Sequence, residues 1–191
     1  MKTILFNPFI KYSEKQLLLA GVLFTITGTI AGYCFSTRFD GALDAHISPN
    51  ITLAESFTDN ACNIISLFVS LYLAARYINK KTRGIDILTT ILVARLPVYF
   101  LSLLNIGNSL YGISKKIITS NPYDLNLTYT EVITLLFYLI ITLSFVVWYI
   151  VLLYNGFKVA CNAKTVKHNI LFAVALLVAE ILSKILISII N

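Results

Sequence analysis

Apolar residues in this chain follow neither the alternation of a half-buried strand nor the single stripe of a soluble helix. They fall in long runs separated by short polar turns. A helix needs about 20 largely apolar residues to cross the roughly 30 Å hydrocarbon core of a bilayer. Five stretches have or approach that length: Gln16 to Phe35, Asn60 to Ile78, Ile87 to Ile106, Val132 to Phe157, and Ile170 to Ile190. The second is the weakest, because Asn63, Ser66 and Ser70 interrupt it and Arg76 stands near its end, where it can snorkel to headgroups. The pattern predicts an all-α membrane protein: one transmembrane domain over residues 1–191, built as a bundle of five transmembrane helices.

Local signals place three helix starts. Ser13 with Gln16 and Thr128 with Glu131 fit the capping box, and Ser56 with Asp59 fits its acidic variant, each just before an apolar run. The first run follows Lys2, Lys11 and Lys15 as a signal peptide would, but it is longer than a usual h-region and no small-x-small cleavage site follows. It is read as a retained helix. Leu5, Phe6, Phe9 and Ile10, around Pro8, form a short apolar segment suited to the membrane interface.

The distribution of charge sets the orientation. With five spans, Lys2, Lys11, Lys15, Arg76, Lys80, Lys81, Arg83, Lys158, Lys164 and Lys167 fall on one side. Arg38, Lys115 and Lys116 fall on the other, with Asp40, Asp44, Glu55, Asp59, Asp124 and Glu131. The positive-inside rule then makes the N-terminus cytoplasmic, in a multi-pass protein of the cell membrane (the cytoplasmic membrane if the source is bacterial). If the second run failed to span, Lys80, Lys81 and Arg83 would move to the wrong face.

Composition agrees with this reading: 58% of residues are hydrophobic and 13% charged, against roughly 25% charged in a soluble domain. A net charge of +6 suits nucleic acid in principle, but the cations sit in short clusters between apolar runs, as membrane anchors do, so nucleic acid is not an expected partner. Cys34, Cys62 and Cys161 form no metal-binding spacing and are read as packing residues; Cys34 and Cys62 approach the same membrane face and could pair if it is oxidising. His46 stands near Asp40 and Asp44 in what reads as a solvated acidic loop. Asn50 and Asn126 head glycosylation sequons that matter only in a secretory pathway.

Three ionisable residues lie within the apolar runs: Arg95, Glu180 and Lys184. Each costs about 2.5–3.5 kcal/mol at a helix centre on insertion scales. Arg95 and Glu180 lie about 12 and 15 Å from the cytoplasmic ends of their runs at the helical rise. They are therefore expected to face one another as a buried charge pair, because an unpaired buried charge costs far more. Such a pair would fix helix register, line a proton or solute pathway, or meet a partner. Lys184 would join Glu180 at i,i+4 or snorkel outward. Pro97 is expected to kink the third helix. Gly21, Gly28 and Gly32, with Thr25, form a small-residue stripe for helix packing, either within the chain or in a homo-oligomer. No zincin, nucleophile-elbow, phosphate-loop or dinucleotide motif is present, so neither an enzyme nor a cofactor is expected.

The buried Ala94-Arg95-Leu96-Pro97 and the fourth-helix ending Trp148-Tyr149-Ile150-Val151-Leu152-Leu153-Tyr154-Asn155-Gly156-Phe157-Lys158, within five closely spaced helices, resemble the Yip1 family of membrane proteins. The resemblance extends from about Lys11 to the end of the chain. Eukaryotic members are associated with vesicle trafficking and Rab GTPases through a longer cytoplasmic N-terminal region. Here residues 1–15 precede the first run, which fits a compact, prokaryotic-type member. The resemblance implies a scaffold or interaction protein contacting lipids or other membrane proteins. The alternative is a small transporter or channel subunit using Arg95 and Glu180 at the midplane.

Overall fold

A short helix α1 (Lys2–Phe6) and a 3-10 turn at Pro8–Ile10 lead to Ser13, whose hydroxyl closes a capping box with Gln16 and starts α2 (Glu14–Cys34). The chain then forms a small antiparallel hairpin, β1 (Thr37–Arg38) and β2 (His46–Ile47), with Thr37 opposite Ile47 and Arg38 opposite His46. Next come α3 (Leu53–Ile78), α4 (Gly84–Ala94), α5 (Leu96–Phe100), a 3-10 stretch at Leu101–Asn108, and α6 (Ser109–Thr119). The last two helices are α7 (Tyr129–Cys161) and α8 (Val166–Ile190). The computed structural model describes residues 2–120 and 126–190; Asp124, one of the acids used above for orientation, lies outside them.

Five helical stretches are long and apolar enough to cross a membrane: Glu14–Cys34, Leu53–Ile78, Gly84–Asn108, Tyr129–Cys161 and Val166–Ile190. The all-α class follows. Most of the expected boundaries fall inside these helices, which gain polar turns at their ends. The start of the second helix needs a larger correction. Its cap is Thr52, whose hydroxyl accepts from the Glu55 amide while the Glu55 carboxylate accepts from the Thr52 amide. Ser56 and Asp59 already lie within α3 and are buried. The second far-side loop also differs from the expectation, since part of it forms α6. Its Lys116 binds Glu131 at the start of α7 at 2.7 Å.

Glu14, Arg83 and the turn after α7 share one end of the bundle, the basic end; β1, β2 and the last turns of α8 share the other, the hairpin end. α4 and α5 are the most enclosed stretch, flanked by α2 and α7, while α3 packs on α4 and most extensively on α8. The buried faces of α3 and α8 carry the small residues Ser70, Ala74 and Ala75, and Ala175, Ala179 and Ser183. Small side chains let helix backbones approach closely where lipid offers no hydrophobic drive. The N-terminal segment is tied to α7: the Trp148 indole donates to the Leu5 carbonyl at 2.8 Å and the Asn155 amide to the Phe6 carbonyl at 2.7 Å.

α3 reverses the amphipathicity of a soluble helix. Ser56, Asp59, Asn60, Asn63, Ser66 and Ser70 point into the bundle, while Phe57, Ile65, Val69 and Leu73 point out, Leu73 with 65% of its surface exposed. In water this arrangement would expose apolar surface and bury polar groups, both unfavourable.

Candidate functional site: a polar core closed by a hairpin

Arg95 occupies the break between α4 and α5. Its amide still donates to the Ile91 carbonyl, but Pro97 supplies no amide to continue the ladder, so the helix breaks two residues before the proline. The kink expected from Pro97 is therefore centred on Arg95, whose side chain is fully buried. Its Nη2 donates to Asn60 Oδ1 at 2.9 Å and its Nε to the Tyr99 hydroxyl at 3.2 Å. Asn60 in turn donates to Thr29 Oγ1 at 3.0 Å, and Thr29 donates to the Thr25 carbonyl at 2.7 Å. One chain of hydrogen bonds thus joins α2, α3 and the α4–α5 break.

Arg95 and Glu180 form no ion pair, which corrects the pairing expected from their depth. Glu180 is turned toward the hairpin end: its carboxylate accepts from the Leu43 amide at 2.7 Å and meets Lys184 Nζ at 3.3 Å. Lys184 also binds Asp44 at 2.8 Å, so it both joins Glu180 and reaches outward. The guanidinium finds neutral oxygens and the face of Tyr99, 5.5 Å from the ring centroid, in place of a carboxylate. Tyr149, also fully buried, lies within electrostatic reach of both Arg95 and Glu180. Its hydroxyl lies near the Arg95 guanidinium, and neither that hydroxyl nor Arg95 Nη1 makes a hydrogen bond of good geometry.

The sequence reading missed the loop between β1 and β2. Phe39 and Ala42 are buried, and Phe39 stands edge-on to Tyr99 at 5.5 Å between centroids. The non-helical backbone there is satisfied from the helices. Asn63 donates to the Phe39 carbonyl at 2.6 Å, and Ser183 Oγ accepts from the Ala42 amide at 3.0 Å. Buried irregular backbone is tolerated only when its polar groups are satisfied in this way. A Cβ on Gly41 would come within 2.6 Å of Glu180 Oε1 and 2.9 Å of Asp44 Cβ, so a larger residue there would push the Glu180 carboxylate aside. The signal available in the sequence was the apolar Phe39, Ala42 and Leu43 among the charges of an otherwise polar loop.

Arg38 anchors the hairpin to α3 through a two-pronged bond to Asp59, at 2.7 and 3.3 Å, and that bond raises its already high pKa. His46 Nδ1 lies 3.0 Å from Asp40, whose hydrogen bond raises the imidazole pKa above its ordinary value. The three glycines of α2 pack within the chain: Gly21 on the backbone of Leu92 and Val93, Gly28 on the Tyr99 ring, Gly32 on Phe39. A Cβ at Gly28 would fall 2.1 Å from Tyr99 Cγ, displacing the ring that supports Arg95. Cys34, Cys62 and Cys161 are all free thiols, with Cys34 exposed and the other two buried. No family model, no curated protein and no solved structure matches this chain.

Proposed function

We propose that this chain is a multi-pass membrane scaffold or interaction protein of Yip1-like type, cytoplasmic at its N-terminus, which contacts lipids and other membrane proteins and has no catalytic activity of its own. The observation that carries this reading is how the intramembrane polar groups are used. Arg95, Asn60 and Thr29 tie three helices together, and Glu180, Ser183 and Asn63 hold the hairpin in the bundle. Groups engaged in this way fix one packing of the helices and the hairpin. The inside-out character of α3 supports placement in a bilayer. The orientation is supported by Arg38 and Lys116, cations of the hairpin side that are each held by a carboxylate.

The transporter or channel reading is favoured by the buried polar atoms that lack a well-formed hydrogen bond: Arg95 Nη1, the Tyr149 hydroxyl, and Asn63 Oδ1, Ser66 Oγ and Ser70 Oγ on the inward face of α3. Thr29 decides between the two, because it is fully buried in the same network. In Thr29→Cys, made with the other cysteines replaced, the scaffold reading expects no reaction with a membrane-impermeant maleimide from either side of reconstituted vesicles. Labelling of that thiol at a rate near that of the exposed Cys34, measured in a separate chain that keeps Cys34 alone, would show an aqueous path to the core and replace the scaffold with a conduit.

A further inference from the structure

Two clefts meet at the basic end of the bundle. The first, about 450 Å³, opens between α2 and α7 over a floor of Val93 and Leu96, with Leu17, Ala20, Phe24 and Leu152 on its walls. That volume lies within the roughly 300–1,000 Å³ of ordinary small-ligand sites. Its lining is almost wholly apolar, and the Trp148 indole on its wall has its N–H engaged with Leu5. The second cleft, about 230 Å³, shares Tyr12 and Leu17 with the first and is lined by Glu14, Arg83, Asp86 and Thr89.

The second cleft has the chemistry of a headgroup site. Arg83 donates through Nε and Nη2 to Asp86 at 3.1 and 2.6 Å, and through Nη2 to Glu14 as well, leaving Nη1 without a carboxylate. One cation against two carboxylates leaves the cluster net negative. Thr89 is 4% exposed and its hydroxyl has no partner, whereas neighbouring Thr90 donates to the Asp86 carbonyl at 2.8 Å. A buried, unpaired hydroxyl beside a polar cleft carries a desolvation cost that a ligand oxygen or ammonium would relieve.

We propose that the two clefts form one binding site for a phospholipid with an ethanolamine head. Its acyl chain lies between α2 and α7, its ammonium is received by Glu14 and Asp86, and its phosphate reaches Arg83 Nη1 and the Thr89 hydroxyl. A head bearing only negative charge would meet the two carboxylates, and a choline head has no N–H to donate. The proposal rests on the bilayer placement inferred above.

The single tryptophan of the chain, Trp148, reports on the acyl cleft directly. The full chain would be placed in phosphatidylcholine nanodiscs containing graded fractions of acyl-brominated phosphatidylethanolamine, phosphatidylcholine, phosphatidylglycerol or fatty acid, and tryptophan quenching measured. The ethanolamine lipid is expected to half-quench at a mole fraction roughly three- to fivefold lower than the other phospholipids, the scale of one exposed ion pair. Asp86→Asn and Thr89→Val are each expected to narrow that preference while leaving full quenching at high fraction. Equal half-quenching fractions for all phospholipids, or a preference for phosphatidylglycerol, would overturn the headgroup assignment, as would a fatty acid as effective as the ethanolamine lipid. Absence of quenching by any brominated lipid would overturn the bilayer placement itself.

Discussion

Arg38 and Asp59 show how unequal the two halves of one ion pair can be. Asp59 is 1% exposed and Arg38 22% exposed, so only the arginine can turn to solvent when its partner is removed. Arg38→Ala removes the guanidinium from a buried carboxylate and is expected to cost about 3–5 kcal/mol. Asp59→Asn leaves a guanidinium that can rehydrate and is expected to cost about 1–2 kcal/mol. Thermal unfolding of the detergent-solubilised variants tests the asymmetry: the double variant is expected to be more stable than Arg38→Ala, and equal losses in the two single variants would remove the pair from its anchoring role. The same scale explains what the sequence concealed at Arg95. A charge deep in an apolar run was legible as buried, but the expectation of a carboxylate partner ignored how readily a guanidinium is satisfied by amide and hydroxyl oxygens and by an aromatic face.

At the scale of the element, α3 records both what could be read and what could not. Its existence is legible from the length of its apolar run, but Ser56 with Asp59 mimics a cap one turn after the true one at Thr52. They are the inward face of a helix whose exterior is oil-compatible, so polarity there marks the core and not the boundary. The effective cap lies at Thr52. Thr52→Ala is expected to lower stability by about 1 kcal/mol, the usual worth of an N-cap. Ser56→Ala removes a hydroxyl that only back-bonds to the Thr52 carbonyl and is expected to cost a few tenths of that. Melting temperatures ranked the other way would return the cap to Ser56. The loop between β1 and β2 and the helix α6 escaped the sequence reading for a related reason. Each is too short to build a hydrophobic period, and each is held by contacts that are remote in sequence, such as Leu43 with Glu180 and Lys116 with Glu131.

For the whole molecule, charge asymmetry and packing bear independently on the proposed bilayer placement and its orientation. The ten cations assigned to the basic side of the chain outnumber the three of the hairpin side, and Arg38 and Lys116 of those three are neutralised locally. α7 contributes a constraint of length. At 33 residues it is about 50 Å long, beyond the roughly 30 Å of a hydrocarbon core, so the proposed bilayer placement requires it to tilt or to carry its ends into the headgroups. Both arrangements keep Lys158 at the basic boundary and Glu131, bound to Lys116, at the other. If α3 lay along the surface instead of crossing, Asn60 and Asn63 would lose their bonds to Thr29, Arg95 and Phe39. Lys80→Cys and Asn50→Cys, each in a chain without its native cysteines, separate these cases because both positions are exposed at opposite ends of the bundle. In intact cells an impermeant thiol reagent is expected to modify Asn50→Cys at once and Lys80→Cys only after permeabilisation. Modification of both before permeabilisation would mean that α3 does not cross, and the reverse order would invert the proposed topology.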